Sequence, residues 1–407
     1  MSTTIARDAE TGGLSIWKGA MLVSGTCIGG GMLAMPIQTA DAGFLLSFLV
    51  LASSWVFMTF TGLLLVEATL WLKNQAHFSS LTQILLGTPG RILGLLVYLF
   101  MNTTSLVAYT SGGAQLFEHF LSLIGLSVGY KTCCILFTLI FGGLVSFGML
   151  LIGKVNNWLV LLMGAIYCYL TFLGISSLNP GYLEFRPAWI AGLYSYPLIF
   201  AAFSHQMIVP SLCSYLRYDA AKLRKALLIG TAVPFAVYSL WLLVIHGMIP
   251  YEGENGLHMA FVNNSLIVEP FRAHFSHGLL FIMIDLFALL ALATSYMGLS
   301  IALFDFVRDL FQGIGRYPSR NAIILVSILP CLLLAMQFQK ALLDFLDISG
   351  GFGDGLLSGL IPVAMIWVGR YRKRFESGYQ VAGGKPALVL AGAFALFIVI
   401  VQWVKLL

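Results

Sequence analysis

The chain has 407 residues, of which 59% are hydrophobic and only 10% charged, with a net charge of +5. A soluble domain is near a quarter charged. No soluble fold of this length has the interior to hide so much apolar surface, so lipid must solvate much of the molecule. The basic residues sit in short connecting segments, which is a topology signal and excludes a nucleic-acid footprint.

Residues 1–14 are polar and mixed in charge, with no basic region, short apolar core and cleavage site in succession. No secretory signal peptide is visible, and a cytoplasmic tail is predicted. Apolar stretches long enough to cross about 30 Å then follow. Their spans are 15–40, 44–71, 91–117, 131–150, 155–175, 187–215, 223–249, 276–307, 320–338, 356–370 and 386–406. They are continuous, not alternating, which excludes a β-barrel. The predicted fold is an all-α polytopic membrane protein of about eleven spans, with short loops and no room for a soluble domain. With the N-terminus inside, 17 Lys and Arg fall on the inner side and 5 on the outer. The positive-inside rule thus places the N-terminus in the cytoplasm and the C-terminus outside, in the periplasm of a bacterial inner membrane. Glu252, Glu254, Glu269, Asp344, Asp347 and Asp354 are assigned to the outer side. The short amphipathic stretch 78–86 is expected to lie along the inner surface. All six cysteines fall in apolar stretches, without CxxC or metal-ligand spacing, and read as small buried apolar residues.

The first span carries Gly25, Gly29, Gly30 and Gly31 within seven residues, followed by Pro36. Each interior glycine costs a helix about 1 kcal/mol relative to Ala. A continuous helix is therefore not expected there, and unwound backbone is tolerated in a bilayer only where it lines a cavity or is buried in protein. Such a break offers amide N–H groups to a carboxylate and carbonyls to an ammonium or a cation, so a zwitterionic amino acid suits both ends. The competing reading is close helix packing through Gly25 and Gly29. The sixth span repeats the pattern, with Ser204-His205-Gln206 inside an apolar run and Pro210 beyond it. Breaks at corresponding places in two five-helix halves point to a five-plus-five inverted repeat. The division expected is residues 15–175 for the first repeat, 187–370 for the second and 386–407 for an added eleventh helix.

Other polar residues inside the spans are few. Asp285, about nine residues into the eighth span, is weighed equally for ion coupling and structural pairing. Glu67 is expected to pair with a basic inner loop, and Asp41 and Asp305 to lie at the interfaces. Imidazole ordinarily titrates near neutrality, and His205 sits at the sixth-span break, which favours a coupling role over that of a satisfied core histidine. Thr294 and Ser295 lie in a small-residue run of the eighth span, open to ion binding or to bonding with their own backbone. Tyr109, among the polar residues of the third span, is placed to stack on or hydrogen-bond a substrate.

The Gly25–Pro36 segment, the Phe203-Ser204-His205 to Pro210-Ser211-Leu212 segment and Asp305-Phe306 together resemble the hydroxy/aromatic amino acid permeases, which include the tyrosine and tryptophan permeases. The likeness covers essentially the whole chain. It implies a LeuT-like fold of the amino acid–polyamine–cation superfamily and amino acid uptake by proton symport. By that resemblance Gly25, Thr26, Gly29 and Gly30 would hold the substrate carboxylate. Ser204 and His205, with Phe203 before them, would lie beside its amino group and side chain. The proton would ride on His205 or Asp285. In sodium-coupled relatives paired hydroxyls such as Thr294 and Ser295 help bind the ion, so sodium stays open from the residues alone. Gln206 and Met207 depart from the small residues expected after the histidine, which leaves serine or threonine beside tyrosine and tryptophan as substrates.

No HExxH, GxSxG or separated nucleophile–base pair appears, so no enzyme and no cofactor is implied. A channel is disfavoured by two broken helices within one long chain. The reading is a secondary transporter whose partners are an amino acid and membrane lipid.

Overall fold

The computed structural model describes residues 15–72, 78–144, 149–274, 278–313 and 315–407. The expected tail 1–14, with Arg7, and Lys73 lie outside the described residues. Regular structure among the described residues is helical throughout. Eight helices are long and apolar enough to cross a membrane. A ninth span is built from Ile16–Cys27 and Gly31–Gln38, bent by 54° at the glycine cluster. Two shorter apolar helices, Tyr130–Gly142 and Arg320–Ala335, stand at the fourth and ninth places of the sequence order.

The first span breaks where expected. Ile28 is extended, and the second half-helix starts at Gly31. The sixth is interrupted between Trp189–Ala202 and Val209–Tyr215 by Phe203, Ser204, His205 and a single 3-10 turn, Gln206–Ile208. The amphipathic stretch from Phe78 is its own short helix. It joins the third span through Gly87, whose φ of 77° is open to glycine and strained for other residues.

Two boundaries depart from expectation. The fourth span was expected over 131–150, yet Met149 already belongs to the fifth helix, Met149–Ser176. A continuous apolar run gives hydropathy no boundary between the two helices. The tenth span was expected to start near 356, after an outer loop. It is a 31-residue helix, Leu342–Arg372, and Ser349–Leu360 within it is a π-helix. Gly and Asp lower the hydropathy of that stretch, although its glycines are packed against other spans. A Cβ on Gly350 would lie 1.7 Å from the Pro197 carbonyl oxygen, and one on Gly353 would lie 2.8 Å from Met101. Asp347 and Asp354, assigned to an outer loop, are therefore corrected to buried positions inside this helix.

Ion pairs tie the spans at their ends. Glu67 receives Arg370 in a two-pronged bond at 2.7 and 2.6 Å, and the Val381 amide at 2.7 Å. Lys405 of the last helix reaches Asp347 at 2.5 Å. The long loop after residue 249 carries two short helices, Leu257–Val262 and Val268–His274. His258 of the first of these meets Asp41 at 2.7 Å.

Candidate functional site

The two breaks face one another. A Cβ on Gly31 would stand 3.1 Å from Cβ of Ala202, the last residue of the first half of the sixth span. Gly29 and Gly30 are pressed on other spans. A Cβ on Gly29 would strike the Ser295 hydroxyl, and one on Gly30 would lie 2.5 Å from the Tyr109 ring. Glycine is needed here because three spans meet the unwound backbone. The Gly30 N–H donates to Ser295 Oγ at 3.0 Å.

Each first half-helix ends in carbonyls with no helical partner. One side chain meets both ends. The Tyr238 hydroxyl, on the seventh span, lies 2.5 Å from the Cys27 carbonyl and 3.0 Å from the Ala202 carbonyl. Phe203 is buried edge-on against the Tyr238 ring, 5.3 Å between centroids.

At the sixth-span break, Ser204 Oγ donates to Asp354 Oδ1 at 2.6 Å, and Ser358 donates to the same oxygen at 2.7 Å. Asp354 is 1% exposed. His205, equally buried, directs Nδ1 to the Phe203 carbonyl at 2.7 Å. Its Nε2 has no hydrogen-bond partner and faces Gly62 of the second span. Gln206 ties the break to the second span, its amide oxygen accepting from the His205 N–H at 3.0 Å. Its amide donates to the Met58 carbonyl at 3.2 Å and to Thr61 Oγ1 at 3.1 Å. The bulk that departs from the family pattern is thus spent on fixing the sixth span to the second.

Among the residues singled out from sequence, Gly29, Gly30, Tyr109, Ser295, Phe203, Ser204 and His205 come together around the two breaks. Gly25 and Thr26 lie one turn earlier and are exposed, with Thr26 Oγ1 donating to the Val23 carbonyl at 2.7 Å. Thr294 donates to its own helix, to Leu290 O at 2.8 Å. Asp285 stands apart from both breaks. It is ten residues, about 15 Å along a helix, from Ser295, and it is paired with Arg272 and with His119 at 3.6 Å. Asp354 and Tyr238 were not singled out from sequence. The glycine-rich Ser349–Gly359 run carried the same signal as the first span, whereas Tyr238 sits in an ordinary apolar helix and carried none.

The arrangement gathers polar groups of both signs between helix ends, and among the described residues it holds no nucleophile–base pair. Among the described residues no group of His, Cys, Asp and Glu is placed to hold a metal ion. Comparison with known proteins agrees. Residues 13–402 match the tryptophan/tyrosine permease family. The chain is 30% identical over 373 residues to the tyrosine-specific transport system 1 of Haemophilus influenzae, covering 91% of this chain and 92% of that one. It is 25% identical over 403 residues to the tryptophan-specific transport protein of the same organism, covering 95% of each. The crystal structure of MhsT in complex with L-phenylalanine matches with a TM-score of 0.65 at 16% identity, over 96% of this chain and 98% of that one, which establishes a LeuT-like fold. The chain is a multi-span membrane protein and not an enzyme, and it belongs to the tryptophan/tyrosine permease family.

Proposed function

We propose that this permease imports an aromatic amino acid, tyrosine or tryptophan, by proton symport through alternating access. One observation carries the reading: spans one, two, six and seven are bonded to one another as a unit, with both breaks inside it. Tyr238 joins spans one, six and seven. Ser24 donates to the Gly230 carbonyl at 2.9 Å, Thr59 meets Thr231 at 2.9 Å, and Gln206 joins six to two. Near the breaks this unit meets the remaining spans through Gly30–Ser295 and Ser204–Asp354. Farther from the breaks the Glu67–Arg370 pair joins it to the tenth span. A body held together internally, with both breaks inside it, is suited to rock around a site fixed at its breaks.

The substrate carboxylate would face the amides of the first-span break, and its amino group Ser204 and the helix-end carbonyls. Tyr109 and Phe203 supply rings for an aromatic side chain. The names of the relatives support tyrosine or tryptophan as cargo. Protons fit better than sodium, because Ser295 is engaged by the Gly30 amide and Thr294 by its own helix. The site then sits in a bacterial inner membrane, with the N-terminus cytoplasmic, the C-terminus periplasmic and repeats over 15–175 and 187–370.

The test is uptake of labelled tyrosine, tryptophan, serine and threonine into proteoliposomes under an imposed proton gradient without sodium. Uptake of tyrosine or tryptophan, abolished by a protonophore, is expected. Uptake that appears only when sodium is added would overturn the coupling. Uptake confined to serine or threonine would overturn the substrate.

A further inference from the structure

Among the described residues the buried carboxylate of Asp354 has no counter-charge. Its partners among the described residues are two hydroxyls, Ser204 and Ser358, both on Oδ1. The buried carboxylates Glu67, Asp285 and Asp347 each hold an Arg or Lys. An ionised carboxylate removed from water is costly unless a cation or a proton neutralises it. Its setting is also unusual. It sits within a π-helix, a form found mostly at functional sites, and its one bond to another span ends on the break of the sixth.

The groups around this helix leave the proton few other places. Cys27 on the first span and Tyr109 on the third are the titratable side chains that feel Asp354, and both are neutral at ordinary pH. The second span presents Phe57 to the helix, and the eleventh presents Ala395, Val399 and Gln402. The sixth offers backbone at Pro197 and Ala201. His205, next to Ser204, turns its ring to the Phe203 carbonyl and to Gly62. Asp347, seven residues earlier, is occupied by Lys405.

We propose that Asp354 carries the coupling proton and that its bond to Ser204 conveys the proton's presence to the broken sixth span. The proposal rests on the proton-symport reading above. Ionised, the carboxylate accepts both hydroxyl hydrogens and holds Ser204 to the tenth span. A proton arriving from the outer solution forms an O–H bond on one carboxyl oxygen. The neutral acid is a weaker acceptor, so Ser204 is released toward the substrate. Loss of that proton to the inner solution restores the bond.

The experiment uses the full-length protein in proteoliposomes with labelled tyrosine and tryptophan. Wild type is compared with Asp354→Asn, a permanently neutral side chain, in gradient-driven accumulation and in counterflow without a gradient. Accumulation is expected to be lost in the variant, with counterflow kept and independent of pH. Ser204→Ala removes one donor to the ionised form, so the pH midpoint of uptake is expected to rise by about one unit. Failure of the wild type to accumulate under a proton gradient would strike the symport reading itself. With the wild type coupled, a monodisperse Asp354→Asn protein that accumulates normally would overturn the assignment, and loss of coupling in His205→Gln would then move the proton to the histidine. Loss of counterflow in Asp354→Asn would place Asp354 in substrate binding and overturn it also. Should Asp354→Asn not fold, an unchanged midpoint in Ser204→Ala would overturn it.

Discussion

Two carboxylates of this protein are equally hidden from solvent, Glu67 and Asp354 at 1% exposure each, and their surroundings could hardly differ more. Glu67 receives both prongs of Arg370 and a backbone amide, and Arg370 in turn donates to the Val381 carbonyl at 2.9 Å. Asp354 receives two serine hydroxyls on one oxygen. Burial alone therefore does not assign a role to a membrane carboxylate; the counter-charge does. A matched acid works as a clamp between spans two and ten. An unmatched acid, lying on the seam between the four-span unit and the rest, is free to change its charge. Residues held by a counter-charge should govern stability, and residues at the breaks should govern transport.

Glu67→Gln would test that division most severely. It leaves Arg370 buried without its partner, for which a loss of about 3–5 kcal/mol is expected, read as thermal unfolding in detergent. Replacing both residues by Met should recover most of the loss, and a stable Glu67→Gln protein would erase the distinction. Gly30→Ala lies on the seam. Its Cβ, 2.5 Å from the Tyr109 ring, displaces groups around the first break. Uptake should fall by between about ten- and a hundredfold while the unfolding temperature barely moves. Tyr238→Phe belongs to both classes, since it leaves the carbonyls of Cys27 and Ala202 without their donor at a cost of about 1–3 kcal/mol. Calorimetry and initial rates of uptake should both register it. The smallest effect is expected from Asp219→Ala, outside the spans. The Lys222 amide holds the Asp219 carboxyl below its usual range. The stability it adds is present above that range and lost as pH falls through the lowered value. Unfolding curves of variant and wild type should differ slightly at neutral pH and coincide in acid.

The reach of sequence reasoning follows the same physics. Lipid demands long apolar stretches, so most spans were legible, and glycine clusters and interior prolines marked both breaks. The start of the tenth span was placed too late because hydropathy counts Gly350, Gly351, Gly353, Asp354 and Gly355 as polar or neutral, whereas their real environment is other helices. Close approach of two backbones, as at Gly350 and Pro197, leaves no trace in a hydropathy sum. Glu67 was given a basic partner correctly in kind, but nothing in linear order singles out Arg370 among the inner-loop charges. Asp285 looked deep by counting residues along its span. Its partner Arg272 lies on the outer loop, which folds back over the span ends and cannot be positioned by counting. Tyr238 was invisible because its importance lies in two carbonyls brought together from distant parts of the chain.

That tyrosine owns a single hydroxyl hydrogen, placed between the last carbonyl of one broken helix and the last carbonyl of the other. It acts as a rivet through two plates. Neither plate slides without shearing the same atom from the other, so the geometry ties the position of one break to that of the other.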